Sequence, residues 1–346
     1  MEERYLIIKP SSLGDVIHAF PAVTLLKKYR PDAKIDWVVA PAFADIVRLH
    51  PAVDQVILFR RKELGKIRTF FKAAMELFHS IRKFHYTAVI DLQGLLRSGI
   101  IARLAKNGTI VGPMKPKEKI ARIFYRKPLD SGPASIHAVK RNIRLMAAFL
   151  GTDPEEIPDT EFLKDAAAAE KIQQFTDFLP AGKLIAVAPG ARWPSKRWSV
   201  RYFQNTLTLL KQKLPECSFL ILGTPDESGI AEELCKSLPG SVLNLTGKTT
   251  VTELLEAIRT ADVLFCNDSG PMHIAAALGT PVTAMFAPTD PDRTGPFAKN
   301  AIVLTPEDLP CMKCFKYECE NPLCHQAIPA EKAAQTLFEI LTGENA

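Results

Sequence analysis

The side chains best suited to chemistry gather in loops that follow short apolar runs. The first such loop is Lys9-Pro10-Ser11-Ser12-Leu13-Gly14-Asp15. Gly14 would let a ligand approach the backbone, and Ser11 and Ser12 offer hydroxyls and amides. Asp15 has two readings. It is either a helix N-cap or, at the end of a first strand beside a ligand cleft, a general base. The second loop, Pro189-Gly190-Ala191-Arg192-Trp193-Pro194-Ser195-Lys196-Arg197-Trp198, packs three cations within six residues beside two tryptophans. It reads as a solvated basic turn or as a site where Arg192 and Lys196 offset charge growing on a diphosphate leaving group. The third, Asn267-Asp268-Ser269-Gly270-Pro271-Met272-His273, opens a small-residue helix over 274–279. Small residues there let backbone N–H groups approach an anion closely. Asp268 would bind a sugar hydroxyl or hold the loop, and His273 is either a satisfied core histidine or a ligand contact. A further polar loop, Ala287-Pro288-Thr289-Asp290-Pro291, follows the next apolar run.

These loops need strands to place them, and the periodicity supplies candidates. Apolar runs over 5–9, 35–40, 55–59, 88–91 and 109–111 read as buried strands, with helical spacing over 16–30, 64–83 and about 137–150. The second half repeats the rhythm, with strands over 184–188, 219–222, 242–244, 263–266 and 282–286 and a last helix over 330–341. Strand–loop–helix repetition predicts an α/β protein of two Rossmann-like, parallel-sheet domains with a ligand cleft between the carboxyl ends of their strands. The expected division is 1–160, then 161–328, then a C-terminal helix in 329–346 that could pack back on the first domain. The Pro-, Gly- and acid-rich stretch 151–160 is the linker. A length of 346 residues suits two domains of about 150. Neither a G-x-G-x-x-G after the first strand nor a G-x-x-x-x-G-K-[ST] is present, which disfavours a dinucleotide dehydrogenase and a P-loop NTPase.

Composition narrows the class further. Hydrophobic content of 47% with 24% charged residues is that of a soluble globular protein. No apolar run reaches the ~18–20 residues needed to span a bilayer. The opening MEERYLIIKP puts acids before a short apolar stretch, an opening strand rather than an export signal, so a cytoplasmic protein with reduced thiols is expected. The net charge of +6 is unevenly divided. Residues 1–160 carry 27 Lys/Arg against 16 Asp/Glu, whereas 161–346 carry 17 against 22. The excess lies in two runs, 60–72 and 115–127, each with six cations and one acid. They are solvated helical faces or, taken together, a surface for a polyanion, with Arg60, Arg61, Lys62, Lys115, Lys117, Lys119 and Arg122 as its contacts.

In consistent order over about residues 5–305, four segments resemble the heptosyltransferases of glycosyltransferase family 9. They are SSLGD after the first strand, DLQGLLRS at 91–98, PGARWPSKRW at 189–198 and NDSGPMHIAAALGTPVTAMFAPTDP at 267–291. The first two are closer to the type I enzymes, the third to type II. The resemblance implies a GT-B fold and an inverting transfer that needs no metal or other cofactor. Heptose would pass from ADP-heptose to Kdo-lipid A in lipopolysaccharide inner-core biosynthesis, with type II transfer or another family 9 donor or acceptor as the alternative. It also implies peripheral association with the inner face of the inner membrane; nucleic acid is the competing polyanion, but no recognisable binding motif supports it. By this likeness Asp15 is the base and Lys196 contacts the donor's phosphate and heptose. Asp268, Ser269 and Gly270 form the donor loop, with His273 behind it. Glu227 matches an acid that binds the adenosine ribose, and Lys248 and Thr249 match the adenine-side loop. Ser12, Gly14 and Thr289 join the donor site. Two family threonines fall on Ala191 and Arg192, so Arg192 would supply charge in place of hydroxyls. The acidic lipid acceptor suits the basic runs, where Phe70, Phe71, Phe124 and Tyr125 could dip into headgroups.

One feature stands outside transfer chemistry. Cys311, Cys314, Cys319 and Cys324 place four thiols in fourteen residues. They read as a structural zinc site, as a redox pair or as spare thiols. A rival from another class, a non-catalytic zinc-containing polyanion-binding protein, would use the same cysteines and basic runs.

Overall fold

Among the described residues twelve strands carry these loops, and in the computed structural model they form two six-stranded parallel sheets. The structure describes residues 2–238, 240–306, 309 and 311–344. The chain divides into two units, Met1–Leu163 and Lys164–Ala346. The first holds β1 (Arg4–Ile8), β2 (Lys34–Val39), β3 (Gln55–Leu58), β4 (Ala88–Asp91), β5 (Thr109–Pro113) and β6 (Lys127–Leu129). The second holds β7 (Leu184–Ala188), β8 (Ser218–Ile221), β9 (Val242–Asn244), β10 (Val263–Asn267), β11 (Val282–Met285) and β12 (Ala301–Leu304).

The strand orders are β3-β2-β1-β4-β5-β6 and β12-β11-β10-β7-β8-β9. Numbered from each unit's own first strand, the first is 3-2-1-4-5-6 and the second, 6-5-4-1-2-3, is the same order read from its other edge, the doubly wound Rossmann arrangement. Each sheet therefore reverses its winding once, between β1 and β4 and between β7 and β10. The crevice outside the carboxyl ends at such a reversal is where open α/β sheets bind ligands. All strands of a sheet being parallel, every loop after a strand lies on that same rim.

The strands read as continuous apolar runs because helices cover both faces. Leu6, Ile7 and Ile8 of β1 and Val263, Leu264 and Phe265 of β10 are fully buried. In the first unit Leu6, Ile8, Val38 and Val89 pack with Leu77 and Ile81 of the helix Ile67–Arg82. In the second, Phe203 and Leu207 of the helix Val200–Lys213 pack on Ile185, Phe219 and Phe265. Ala333, Leu337 and Leu341 of the last helix, Ala330–Thr342, join that same cluster, so its apolar face is used within the second unit.

The differences from expectation have local causes. The predicted helix over 16–30 is two, Leu13–Ile17 and Phe20–Tyr29, divided at His18–Ala19; Pro21, in the first turn of the second, has no N–H to donate to the carbonyl of Ile17. The predicted helix over 64–83 is Arg61–Leu64 followed by Ile67–Arg82, broken at Gly65–Lys66. The edge strands β6 and β12 were not expected. The first is three residues with a central proline, which reads as a break rather than a strand, and the second is a four-residue run at the sheet edge. The helix Ala138–Leu150 closes on Gly151 at φ +76°, the left-handed cap that glycine adopts without a Cβ clash.

Candidate active site

On the first rim, β1 runs into Lys9 and then into the helix Leu13–Ile17. Ser12 is the N-cap of that helix, and Asp15, three residues on, reaches back. Its Oδ2 accepts from the Ser12 amide and the Ser12 hydroxyl, each at 3.1 Å. Asp15 is thus not the cap itself, and its side chain keeps 30% exposure. Gly14 is buried in the same turn. Lys9, buried at the strand end, donates from Nζ to Leu92 O at 2.7 Å and lies 3.9 Å from Asp15 Oδ1. Burial pushes the Asp15 carboxyl up, but Lys9, Lys117 and the Ser12 bonds outweigh it and hold the group below its usual range. Burial lowers the Lys9 ammonium, with Asp15 opposing.

The neighbouring loop is fixed by Asp91 at the end of β4. Its carboxylate accepts from the amides of Gln93 at 2.8 Å and Gly94 at 3.1 Å, and from Ser98 Oγ and Tyr125 Oη, each at 2.7 Å. Burial still pushes this carboxyl up. Neither Lys9 nor Asp91 stands out as functional in the sequence. The available signal is position, each sitting where a strand of the winding reversal ends.

On the second rim, Lys196 lies in a short 3-10 turn, Pro194–Lys196, after β7. Its Nζ is 2.6 Å from Asp268 Oδ2, in the loop after β10. Thr289, in the loop after β11, donates its hydroxyl to the same Asp268 oxygen. Lys196, Asp268 and Thr289 therefore converge, and all three were expected at the donor site. The side chains are 18% exposed for Lys196 and 5% for Asp268. Asn267, fully buried, fastens the loops to each other: its Nδ2 donates to Pro189 O at 2.6 Å and its Oδ1 accepts from the Trp198 amide at 3.1 Å. Its role is not legible in the sequence, because an asparagine at a strand end reads as an ordinary turn residue. Ser269 is the N-cap of the helix Gly270–Leu278, and its buried hydroxyl has no hydrogen-bond partner among the described residues. His273 is buried one turn into that helix.

Glu227 sits beside the loops after β7 and β8. Its Oε2 accepts from the Thr224 amide at 2.7 Å. A Cβ on Gly190 would land on this carboxylate, and one on Gly223 would lie 2.7 Å from it, so the two glycines create the seat. Lys248 and Thr249 follow β9 on the same rim; Lys248 is exposed, with Nζ donating to Asn244 O at 2.9 Å. Arg192 and Arg197 are both exposed, and Arg197 donates from Nε to Ala191 O at 2.7 Å.

The basic residues come after β3 and β5, hence on the first unit's rim. Arg61, Lys62, Lys115, Lys117, Lys119 and Arg122 are exposed, but Arg60 pairs with Glu63 at 3.4 Å and Glu76 at 3.7 Å. Two aromatic expectations are corrected. Tyr125 is buried with its hydroxyl on Asp91, and Phe124 packs over Gly99, so neither projects outward; Phe70 and Phe71 do. The zinc expectation is corrected as well. Among the described residues no three His, Cys, Asp or Glu side chains group as a metal site. All four cysteines are free, with Cys311, Cys314 and Cys319 exposed. Among the described residues no helix is long and apolar enough to cross a membrane.

The sequence model of glycosyltransferase family 9 (heptosyltransferase) matches residues 74–325. Lipopolysaccharide heptosyltransferase 1 of Pseudomonas aeruginosa is 28% identical over 98% of this chain and 98% of its own. The solved structure of E. coli heptosyltransferase WaaC with ADP superposes with a TM-score of 0.79 at 27% identity, covering 97% of this chain and 99% of that one. The same enzyme with ADP-2-deoxy-2-fluoro heptose gives 0.75 at 26%, with the same coverage. The pair of Rossmann units is the GT-B fold.

Proposed function

We propose that this chain, which belongs to glycosyltransferase family 9 and is a glycosyltransferase, is a lipopolysaccharide heptosyltransferase of the type I kind. It transfers L-glycero-D-manno-heptose from ADP-heptose to Kdo-lipid A in building the lipopolysaccharide inner core. The observation that carries the reading is the cluster of Lys196, Asp268 and Thr289 at the winding reversal of the second sheet. The rival of a zinc-containing polyanion-binding protein loses its support, since the likeness to transferases spans the chain.

The acceptor hydroxyl attacks the anomeric carbon as the bond from that carbon to the phosphate oxygen breaks. ADP leaves with the electron pair, and the configuration inverts. Asp15 takes the hydroxyl proton as the new bond forms; Lys9, Lys117 and the Ser12 bonds keep it ionised and free to accept at neutral pH, though as a weaker base than an ordinary carboxylate. The negative charge gathering on the diphosphate is met by Lys196 and by the amides and free hydroxyl around Ser269 and Gly270, with Arg192 adding charge. Asp268 and Thr289 hold Lys196 in readiness and offer acceptors to sugar hydroxyls. Glu227 accepts from the ribose, and Lys248 and Thr249 border the adenine. His273 backs the donor loop, while Ser12 and Gly14 shape the turn around Asp15. No metal or other cofactor is required.

Arg61, Lys62, Lys115, Lys117, Lys119 and Arg122, with Arg60 behind them, receive the carboxylates and phosphates of the acceptor. Beside them lies an apolar groove of about 440 Å³, lined by Phe59, Leu64, Phe70, Met75, Phe78 and Ile100. Ile67 and Phe71 project nearby, 92% and 76% exposed. Cations around an apolar surface suit a protein resting on an anionic bilayer, here the inner face of the inner membrane, from the cytoplasm. Incubation with ADP-heptose and Kdo2-lipid A tests the reading. ADP should appear only when both are present and should continue in EDTA; donor consumption without acceptor dependence would refute it.

A further inference from the structure

The segment that carries the cysteines is unexplained by transfer chemistry, yet its contacts lead back to Lys196. Ser195, immediately before that lysine, is held at each of its polar groups. Its amide donates to Tyr317 O at 3.2 Å and its hydroxyl to Lys316 O at 2.6 Å. Its carbonyl accepts from the buried His325 Nε2 at 2.7 Å, which fixes the proton on that nitrogen. The His325 carbonyl in turn accepts from Trp198 Nε1 at 2.9 Å. The Tyr317 ring meets Trp193 edge-on at 5.9 Å, and Lys196 Nζ lies 5.0 Å from the Trp193 ring centre.

The same segment fastens the loop after β11. The Phe315 amide donates to Pro288 O at 2.8 Å, and Lys313 Nζ is 2.7 Å from Asp290 Oδ1. These anchors flank Thr289, which bonds Asp268. Residues 313–325 thus grip both loops whose side chains converge on the Asp268 carboxylate. Lys313 and Phe315 take φ of +54° and +55°, left-handed conformations that non-glycine residues seldom adopt. Such strain persists only where surrounding contacts over-determine the backbone.

We infer that residues 313–325 form a strap that positions Lys196, with Ser195 and His325 as positioning residues acting through it. The inference rests on the reading of Lys196 as the donor-side cation. A group aimed at charge in a transition state must be held closely, since a displacement of about 1 Å can lower the rate by roughly 10²-fold.

The test uses the full chain and four variants, Ser195→Ala, His325→Ala, His325→Gln and Lys196→Ala. Measured are kcat and KM for acceptor-dependent ADP release, and amide hydrogen exchange over 192–198. Ser195→Ala and His325→Ala should lower kcat by roughly 10–100-fold, leave the ADP-heptose KM within about threefold, and speed exchange in that loop. His325→Gln keeps an N–H donor and should recover most of the rate. If His325→Ala fails to fold, Ser195→Ala decides alone. Wild-type kcat and exchange in the strap variants, beside an impaired Lys196→Ala, would overturn the strap. An unimpaired Lys196→Ala would instead overturn the underlying reading, and loop exchange would then decide whether the strap holds the loop.

Discussion

Lys196 Nζ lies 2.6 Å from Asp268 Oδ2, and Thr289 donates its hydroxyl to that same oxygen. On the proposed reading the cation is aimed before a donor arrives, and its attraction for the diphosphate would grow as the leaving group gains charge. Interactions that strengthen toward the transition state act on kcat rather than on ground-state binding.

Lys196→Ala should therefore lower kcat by roughly 10²–10³-fold with little change in the ADP-heptose KM. A pure KM effect would contradict the role. The same variant leaves the buried Asp268 carboxylate without its cation, a loss of roughly 3–5 kcal/mol for broken buried pairs. Adding Asp268→Asn should restore the urea midpoint and leave the rate low.

Gly190 tests the seat of Glu227. Ala at this position drives a Cβ into the carboxylate, and overpacking of this kind costs about 1–3 kcal/mol. If Glu227 holds the ribose, Gly190→Ala and Glu227→Ala should both raise the ADP-heptose KM, while acceptor KM stays put. Steady-state kinetics with each substrate varied separately distinguishes this from a general loss of fold.

Much of this arrangement is legible in the sequence, for a physical reason. Buried parallel strands are continuous apolar runs, and the loop after each run must lie on the functional rim; β1, β7 and β10 announce their loops in this way. A short edge strand such as β6, with its central proline, reads as a break and stays hidden. Side-chain partnerships are hidden too. Nothing in the spacing of Asn267 says that it spans from Pro189 to Trp198, and the buried Lys9 resembles the many solvated lysines of its half. Tyr125, set among cations, looks like a surface ring until Asp91 is found beneath it.

With Asp15 as the proposed base, Asp15 and Lys9 should set the pH response. The Asp15 carboxyl is held below the ordinary Asp value of about 3.9, so its charged form persists as pH falls through that point. Its pairing supports the fold above that pH and is lost as pH drops through the lowered value. The acid limb of kcat/KM should lie below about pH 4 where the fold survives, and Lys9→Met, by removing the opposing cation, should move it upward. A limb that does not move in Lys9→Met contradicts the assignment.

The basic rim predicts a separation of substrates. Replacing Lys115, Lys117 and Lys119 together by Glu should raise the Kdo2-lipid A KM by at least about tenfold, or about 1.4 kcal/mol, with the ADP-heptose KM unchanged. Added salt should weaken acceptor binding in the wild type more than in the variant. Arg60→Ala should matter less, because Glu63 and Glu76 already engage that guanidinium.

On the proposed reading Asp15 is the base of the transfer, and Asp15→Asn tests this most directly, since the amide keeps the shape and loses the basicity. Acceptor-dependent ADP release should fall by roughly 10²–10⁴-fold while ADP binding by calorimetry stays at the wild-type level. Turnover within a few-fold of wild type in a folded Asp15→Asn protein would contradict that role.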